Sequence, residues 1–193
     1  ELLAPYARVG IPIVGTEPSC ILTLRDEYLD LLPGHPDAAV VAQNSFMIDE
    51  FLARQLERGE LSLPWRAEPG PKVLFHGHCH QKALVGVKPS LAVLKAAGCT
   101  VEESGAGCCG MAGSFGYEAE HYEISRKIGA ERLFPKVEEQ PADAVIAVAG
   151  VSCREQISHF TGRRSLHLVE VLAARLAPAA ARPAEETVRA AAD

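Results

Sequence analysis

The chain predicts an α/β fold with parallel-sheet layers, and two observations carry that expectation. Short apolar runs closed by glycine or turn formers recur along the sequence, too short for helices and suited to buried strands. Stretches with helical periodicity alternate with them from one end to the other, which is the pattern of strands and helices layered in one sheet.

Taken in order, residues 11–15 are a short apolar run ending at Gly15 and predict the first strand. Pro18, Ser19 and Cys20 open a helical pattern through Leu32, stopped by Pro33 and Gly34. Residues 44–56 read as an amphipathic helix with Phe46, Ile48, Phe51, Leu52 and Leu56 on one face. Residues 59–71 are rich in turn formers and read as a connector. A strand over 72–76 follows, then a helix over 89–97 capped by Gly98, then a short strand over 100–104. Beyond a Cys-Cys-Gly loop, a long polar helix is expected over 118–134. Residues 144–149 form the most marked strand, Ser152 starts a helix toward His159, and residues 166–176 make the last helix. From Ala177 on the chain is alanine, proline and charge, which predicts a disordered tail over 177–193.

One internal echo shapes the domain reading. Residues 12–20 and 144–153 share a layout: apolar strand, glycine, then Ser-Cys opening a helix. The echo predicts two pseudo-repeated, Rossmann-like halves with the first truncated. On that reading residues 1–58 are the remainder of the first half, 59–71 the connector and 72–176 the second half. The chain opens at Glu1 without an initiator methionine and reads as a fragment of a longer protein.

Bulk properties exclude several classes. A net charge of −6 and no basic stripe argue against nucleic acid or an anionic membrane as the main partner. No apolar run reaches the roughly 20 residues that a transmembrane helix needs, and no secretory signal pattern is present. The six cysteines are Cys20, Cys79, Cys99, Cys108, Cys109 and Cys153. A chain of this size without an export signal is a poor candidate for a disulfide scaffold. A bridge between the adjacent Cys108 and Cys109 would strain the peptide that joins them. Thiols kept reduced or metal-bound in the cytoplasm are the better expectation.

Four of the cysteines look built for metal. Cys79 follows the strand over 72–76, Cys108 and Cys109 follow the next strand, and Cys153 follows the one after. In a parallel sheet ligands collect beyond the C-terminal strand ends, so three strand ends can deliver four thiols to one place. Gly105, Gly107, Gly110 and Gly113 let backbone pass close to a cluster and turn N–H groups toward it. Cys20 and Cys153 sit where a helix begins, a position that favours the thiolate; the plainer reading makes each a small buried hydrophobe. Four thiolates suit zinc or an iron–sulfur cluster. No Cys-x2-Cys knuckle is present, and vicinal thiolates are easier to place on separate irons than on one zinc ion. His78 and His80 flank Cys79 as candidate cofactor-binding groups, against the plainer reading of a polar rim. Cys99 reads as core. A thiol-redox role for Cys108 or Cys109 is the third possibility.

These residues resemble the cysteine-rich CCG domain family. Its members include a subunit of heterodisulfide reductase, the glycolate oxidase iron–sulfur subunit and the C-terminal part of FAD-linked D-2-hydroxyacid dehydrogenases. The family pattern is a cysteine, a gap, Cys-Cys-Gly, a second gap and Cys-x-x-Cys. Cys79, Cys108-Cys109-Gly110 and Cys153 are similar to its second copy, and Glu17-Pro18-Ser19-Cys20 with Arg25-Asp26-Glu27 to the end of a first. The stretch from His78 to Lys82 and Gly113-Ser114-Phe115-Gly116 resemble the FAD-linked members. The resemblance implies a 4Fe–4S cluster on Cys79, Cys108, Cys109 and Cys153, FAD on a separate domain or subunit, and a 2-hydroxy acid substrate such as glycolate, D-lactate or 2-hydroxyglutarate. A quinone or carrier protein would take the electrons, in the cytoplasm or at the inner membrane through partners. Gln156 stands where the family has its final thiol. That leaves a four-thiolate cubane, a cluster that borrows Cys20, or a degenerate site.

Overall fold

The computed structural model describes residues 1–178. Its first part runs α1 (Ala4–Arg8), β1 (Ile13–Gly15), α2 (Pro18–Arg25), α3 (Glu27–Leu31), α4 (Pro36–Gln43), β2 (Ser45–Met47) and α5 (Ile48–Glu57). The second runs β3 (Lys72–His76), α6 (Cys79–Leu84), α7 (Lys88–Ala96), β4 (Thr100–Glu103), α8 (Tyr122–Glu138), β5 (Val145–Val148), α9 (Val151–Thr161), β6 (Ser165–His167) and α10 (Leu168–Arg175). Two single 3-10 turns precede α8. The architecture is α/β with parallel sheets: β1 pairs β2, and a four-stranded sheet has the order β4-β3-β5-β6 with every pairing parallel. Among the described residues no helix is long and apolar enough to cross a membrane.

Strand alternation sorts the core into two faces. Val73 and Phe75 of β3 join Ala147, Ala149, Leu94, Leu168, Leu22 and Met47 on one face. Leu74 joins Ile146, Val148, Leu133, Val137, Ile157, Cys109 and Cys153 on the other. Leu22, Leu74, Phe75 and Leu94 are each fully buried, and burying such a side chain contributes about 1.5–3 kcal/mol. The second face is the one that carries the thiols.

Several elements depart from expectation. The helix expected over 18–32 breaks at Asp26, where Arg25 is held by both carboxylate oxygens of Glu50, at 2.6 and 3.3 Å. That tertiary ion pair leaves no trace in local periodicity. Residues 45–47, expected as helix, form β2, because Ser45 and Met47 bury themselves on either side of the half-exposed Phe46 while pairing with β1. Residues 165–167 form β6 in the same way before α10. The long polar helix starts at Tyr122 rather than at Glu118 and extends to Glu138. α6 was not expected at all: the chain leaves β3 and turns into helix at Cys79. The connector is tied down at its end. Trp65 bridges Leu176, and Arg175 donates to the carbonyls of Ala97, Arg66 and Glu68. The tail expected over 177–193 lies outside the described residues apart from Ala177, whose N–H donates to Pro64, and Pro178.

Candidate metal centre

Three strand ends bring four thiols together. β3 ends at His76 and leads into α6, whose first residue is Cys79. β4 leads into the glycine-rich loop carrying Cys108 and Cys109. β5 leads into α9, whose third residue is Cys153. The set runs from surface to core: Cys79 is exposed, Cys108 half-buried, Cys109 3% exposed and Cys153 1% exposed. Each sulfur interacts with the next. Hydrogen bonds from Cys109 and Cys79 hold the Cys108 thiol far below its ordinary range, at about 2. A hydrogen bond from Cys109, helped by His76, likewise holds Cys153 well down against its burial. The two donors move the other way: hydrogen bonding to Cys108 pushes Cys79 up, and hydrogen bonding to Cys108 and Cys153 pushes Cys109 up. The four are thus linked in order, Cys79 to Cys108 to Cys109 to Cys153.

The spacing of that chain matters. Four sulfurs on one tetrahedral zinc ion, each at about 2.3 Å from it, lie about 3.8 Å apart. Among the described residues no three of the cysteine sulfurs fall within 4.8 Å of one another; the trio that does is Asp26, Glu27 and His80. The four thiols therefore do not present the compact tetrahedron of a single ion.

The loop is built for close approach. Gly110 has φ +97°, and a Cβ there would lie 2.2 Å from the Ser125 carbonyl oxygen, so only glycine fits. Its N–H donates to the Cys108 sulfur at 3.3 Å. Gly105 and Gly113 also have positive φ, but Gly107 does not, and a Cβ on Gly107 would meet nothing within 4 Å. Gly107 instead offers its carbonyl to the Lys82 ammonium at 3.2 Å, which also bonds the Ala106 carbonyl. Burial pulls the Lys82 ammonium down while Cys153, Glu103, Cys79 and Cys108 pull it up, which puts a positive charge beside the thiols. Gln156, one turn beyond Cys153, is 2% exposed. Its amide donates at 2.9 Å both to the Cys109 carbonyl and to the Ser125 hydroxyl. In place of a thiol the chain has a polar clamp between the loop and α8.

The candidate histidines are occupied elsewhere. His78 caps α6: its Nδ1 accepts the His80 amide at 3.2 Å, its own amide donates to Gln81 at 3.3 Å, and its Nε2 lies 3.3 Å from the Ser152 hydroxyl. Gln81 in turn donates to Ser90 and to Asp49 of α5, and burial raises the pKa of that carboxyl. His80 faces Glu27 at 3.4 Å. Cys20 is exposed on α2, and none of the principal influences on the four thiols comes from it. Ser19 and Ser152 lie within the first turns of α2 and α9, whose cap positions belong to Glu17 and Gly150. Glu17 reaches across and accepts the Val151 amide of α9 at 2.9 Å. Cys99 is buried core, its thiol pushed up by burial. Sequence reasoning missed His76, which is 1% exposed on the thiol face.

Comparison with known proteins finds relatives along most of the chain. The chain is 33% identical over 169 residues to one subunit of the anaerobic glycerol-3-phosphate dehydrogenase of Escherichia coli K12, covering 87% of this chain and 41% of that polypeptide. It is 33% identical over 174 residues to D-2-hydroxyglutarate dehydrogenase of the same organism, covering 89% of this chain but 16% of that protein. The Pseudomonas putida D-2-hydroxyglutarate dehydrogenase is 30% identical over 172 residues, covering 88% of this chain and 16% of that protein. The chain thus spans less than half of these curated relatives. No solved structure matches it. A family model described as a cysteine-rich domain, CCG, matches residues 73–158, and this stretch, which supplies all four converging thiols, is a cysteine-rich CCG domain.

Proposed function

We propose that this chain is the iron–sulfur electron-transfer domain of a flavin-linked oxidoreductase that acts on a 2-hydroxy acid of the glycolate, D-lactate or 2-hydroxyglutarate kind. The observation that carries the reading is the convergence of Cys79, Cys108, Cys109 and Cys153 from three strand ends, with no three of their sulfurs at the spacing of a single ion. A four-thiolate cubane fits that donor set, with one sulfur for each iron. When bound, such a cluster supplies one-electron transfer.

The chain's own residues hold and shield it. Cys109 and Cys153 grip from the core, and Cys79 and Cys108 from the rim. Gly110 contributes an N–H, and Lys82 offsets negative charge. Gly107 leaves room on its open side. His78 and His80 act on the site through the helix that presents Cys79 rather than by binding directly. Cys20 has no place in this set. The reading of two halves, 1–58 and 72–176 joined by 59–71, draws support from a shared order. β1–α2 with β2–α5, and β5–α9 with β6–α10, each pair their strands in parallel and place a cysteine third in the first helix.

Flavin and substrate sites belong to another domain or subunit in this reading. One relative is named as a subunit, and the others are several times longer than the region matched. The relatives' names share a dehydrogenase class; only D-2-hydroxyglutarate names a 2-hydroxy acid. A quinone or carrier protein takes the electrons, in the cytoplasm or at the inner membrane through partners.

The test is anaerobic purification of the full-length protein with iron, acid-labile sulfide and zinc analysis. Brown protein with iron and sulfide in equal amounts is the expected result. Colourless protein with one zinc per chain overturns it in favour of a structural or docking domain. Metal-free protein whose activity is lost on alkylation overturns it in favour of thiol redox chemistry at Cys108 or Cys109.

A further inference from the structure

His76 is the buried group that the four-thiol arrangement leaves without a task. It is the last residue of β3, and strand alternation turns it to the face of Leu74, where Cys109 and Cys153 lie. It pairs in register with Val148, two residues before the glycine that caps the Cys153 helix. The imidazole is 1% exposed. Its Nδ1 lies 2.9 Å from the Ser104 hydroxyl. Its Nε2 is fully buried and has no hydrogen-bond partner. A buried polar nitrogen without a partner is rare and points to a missing one.

The proton on that ring can be placed. The Ser104 oxygen already accepts the Ala106 amide at 3.3 Å, and the acceptor in reach of its own O–H is His76 Nδ1. A neutral imidazole whose Nδ1 accepts carries its hydrogen on Nε2. Nδ1 is taken by Ser104, so the ring meets the thiols through Nε2. Cys153 packs with Leu74 on that same face, and no group among the described residues takes the Nε2 position as a hydrogen-bond partner. His78 cannot serve in its place, since both its ring nitrogens are engaged.

We propose that His76 is a positioning residue of the sulfur centre: Ser104 fixes its tautomer, and its Nε2–H is aimed at the Cys153 sulfur as a donor to that ligand. This rests on the reading of the four thiols as cluster ligands. A donor to a ligand sulfur draws charge from it and favours the reduced state, which raises the reduction potential.

The experiment uses the full-length protein, purified anaerobically, as wild type, His76→Phe, His76→Gln and Ser104→Ala. Iron and sulfide are measured first, then the midpoint potential by titration followed by electron paramagnetic resonance. The exchangeable-proton coupling of the reduced centre is read in light and heavy water. His76→Phe shifts the potential to more negative values at equal iron content. His76→Gln, which keeps an N–H donor, stays nearer wild type. Ser104→Ala frees the tautomer and weakens the exchangeable coupling. Equal potentials in His76→Phe and wild type at equal iron content overturn the proposal while leaving the four-thiol reading intact. If His76→Phe does not fold, Ser104→Ala decides: unchanged coupling and potential overturn the proposal, and loss of the coupling supports it. Wild-type protein without iron removes both readings together.

Discussion

Cys20 and Cys153 hold the same position in two helices. Each is the third residue of a helix that follows a parallel strand, and each helix starts from an extended cap residue, Glu17 or Gly150. Both therefore sit beside the free N–H groups of a helix start. Yet Cys153 is buried with Cys109 in the core, whereas Cys20 is exposed. The difference lies in the neighbouring strand. β5 has β3 beside it, and the segment leaving β3 supplies His76 and Cys79. β1 has β2 alone among the described residues. A helix start is common to both thiols; strand adjacency is what makes a centre.

The sharpest test of that contrast is a pair of substitutions. Cys153→Ala is expected to lower iron per chain by more than tenfold, since loss of a direct ligand exceeds the about 10–100-fold cost of losing an outer partner. Cys20→Ala leaves iron content unchanged. Equal losses would erase the distinction between the two helices. Next in size is Gly110→Ala, which places a Cβ against the Ser125 carbonyl at positive φ. Urea unfolding is expected to show a loss of about 3 kcal/mol, against less than about 0.5 kcal/mol for Gly107→Ala, which meets nothing. Gln156 and Thr23 sit one turn beyond the two cysteines. Gln156→Leu strands the Cys109 carbonyl and the Ser125 hydroxyl, and calorimetry is expected to register a cost of about 1–3 kcal/mol. Thr23 donates only to Ser19 within its own helix, so Thr23→Ala changes stability by less than about 0.5 kcal/mol. The smallest effect is at the caps. Glu17→Ala removes the acceptor for the Val151 amide and costs about 1 kcal/mol, while Glu17→Gln costs less because an oxygen remains.

The sequence made some of this plain and hid the rest for physical reasons. β3 and β5 are covered on both faces, so they read as unbroken apolar runs, Val73-Leu74-Phe75 and Val145 through Val148. β2 and β6 have three residues each and pass straight into α5 and α10, so helical periodicity absorbed them. α6 was hidden because histidine is an unfamiliar cap. The signal was nonetheless present: His78 with Gln81, and His167 with Glu170, are both capping boxes with an imidazole in the usual place of a hydroxyl. The expected meeting of thiols could be argued from strand ends and the Cys-Cys-Gly spacing. The part of His76 could not, because it depends on which ring nitrogen Ser104 occupies, and that is settled only by packing.

Glu17 also bears on how this protein can be handled. The matched stretch, 73–158, borrows from both sides: Leu22 and Met47 seal one flank of Phe75, Glu17 completes the start of α9, and His167 contacts the Ala149 carbonyl. A gene trimmed to those limits would yield a polypeptide with an open hydrophobic wound, prone to clump. Homology marks which residues share ancestry; it does not mark where scissors can safely fall.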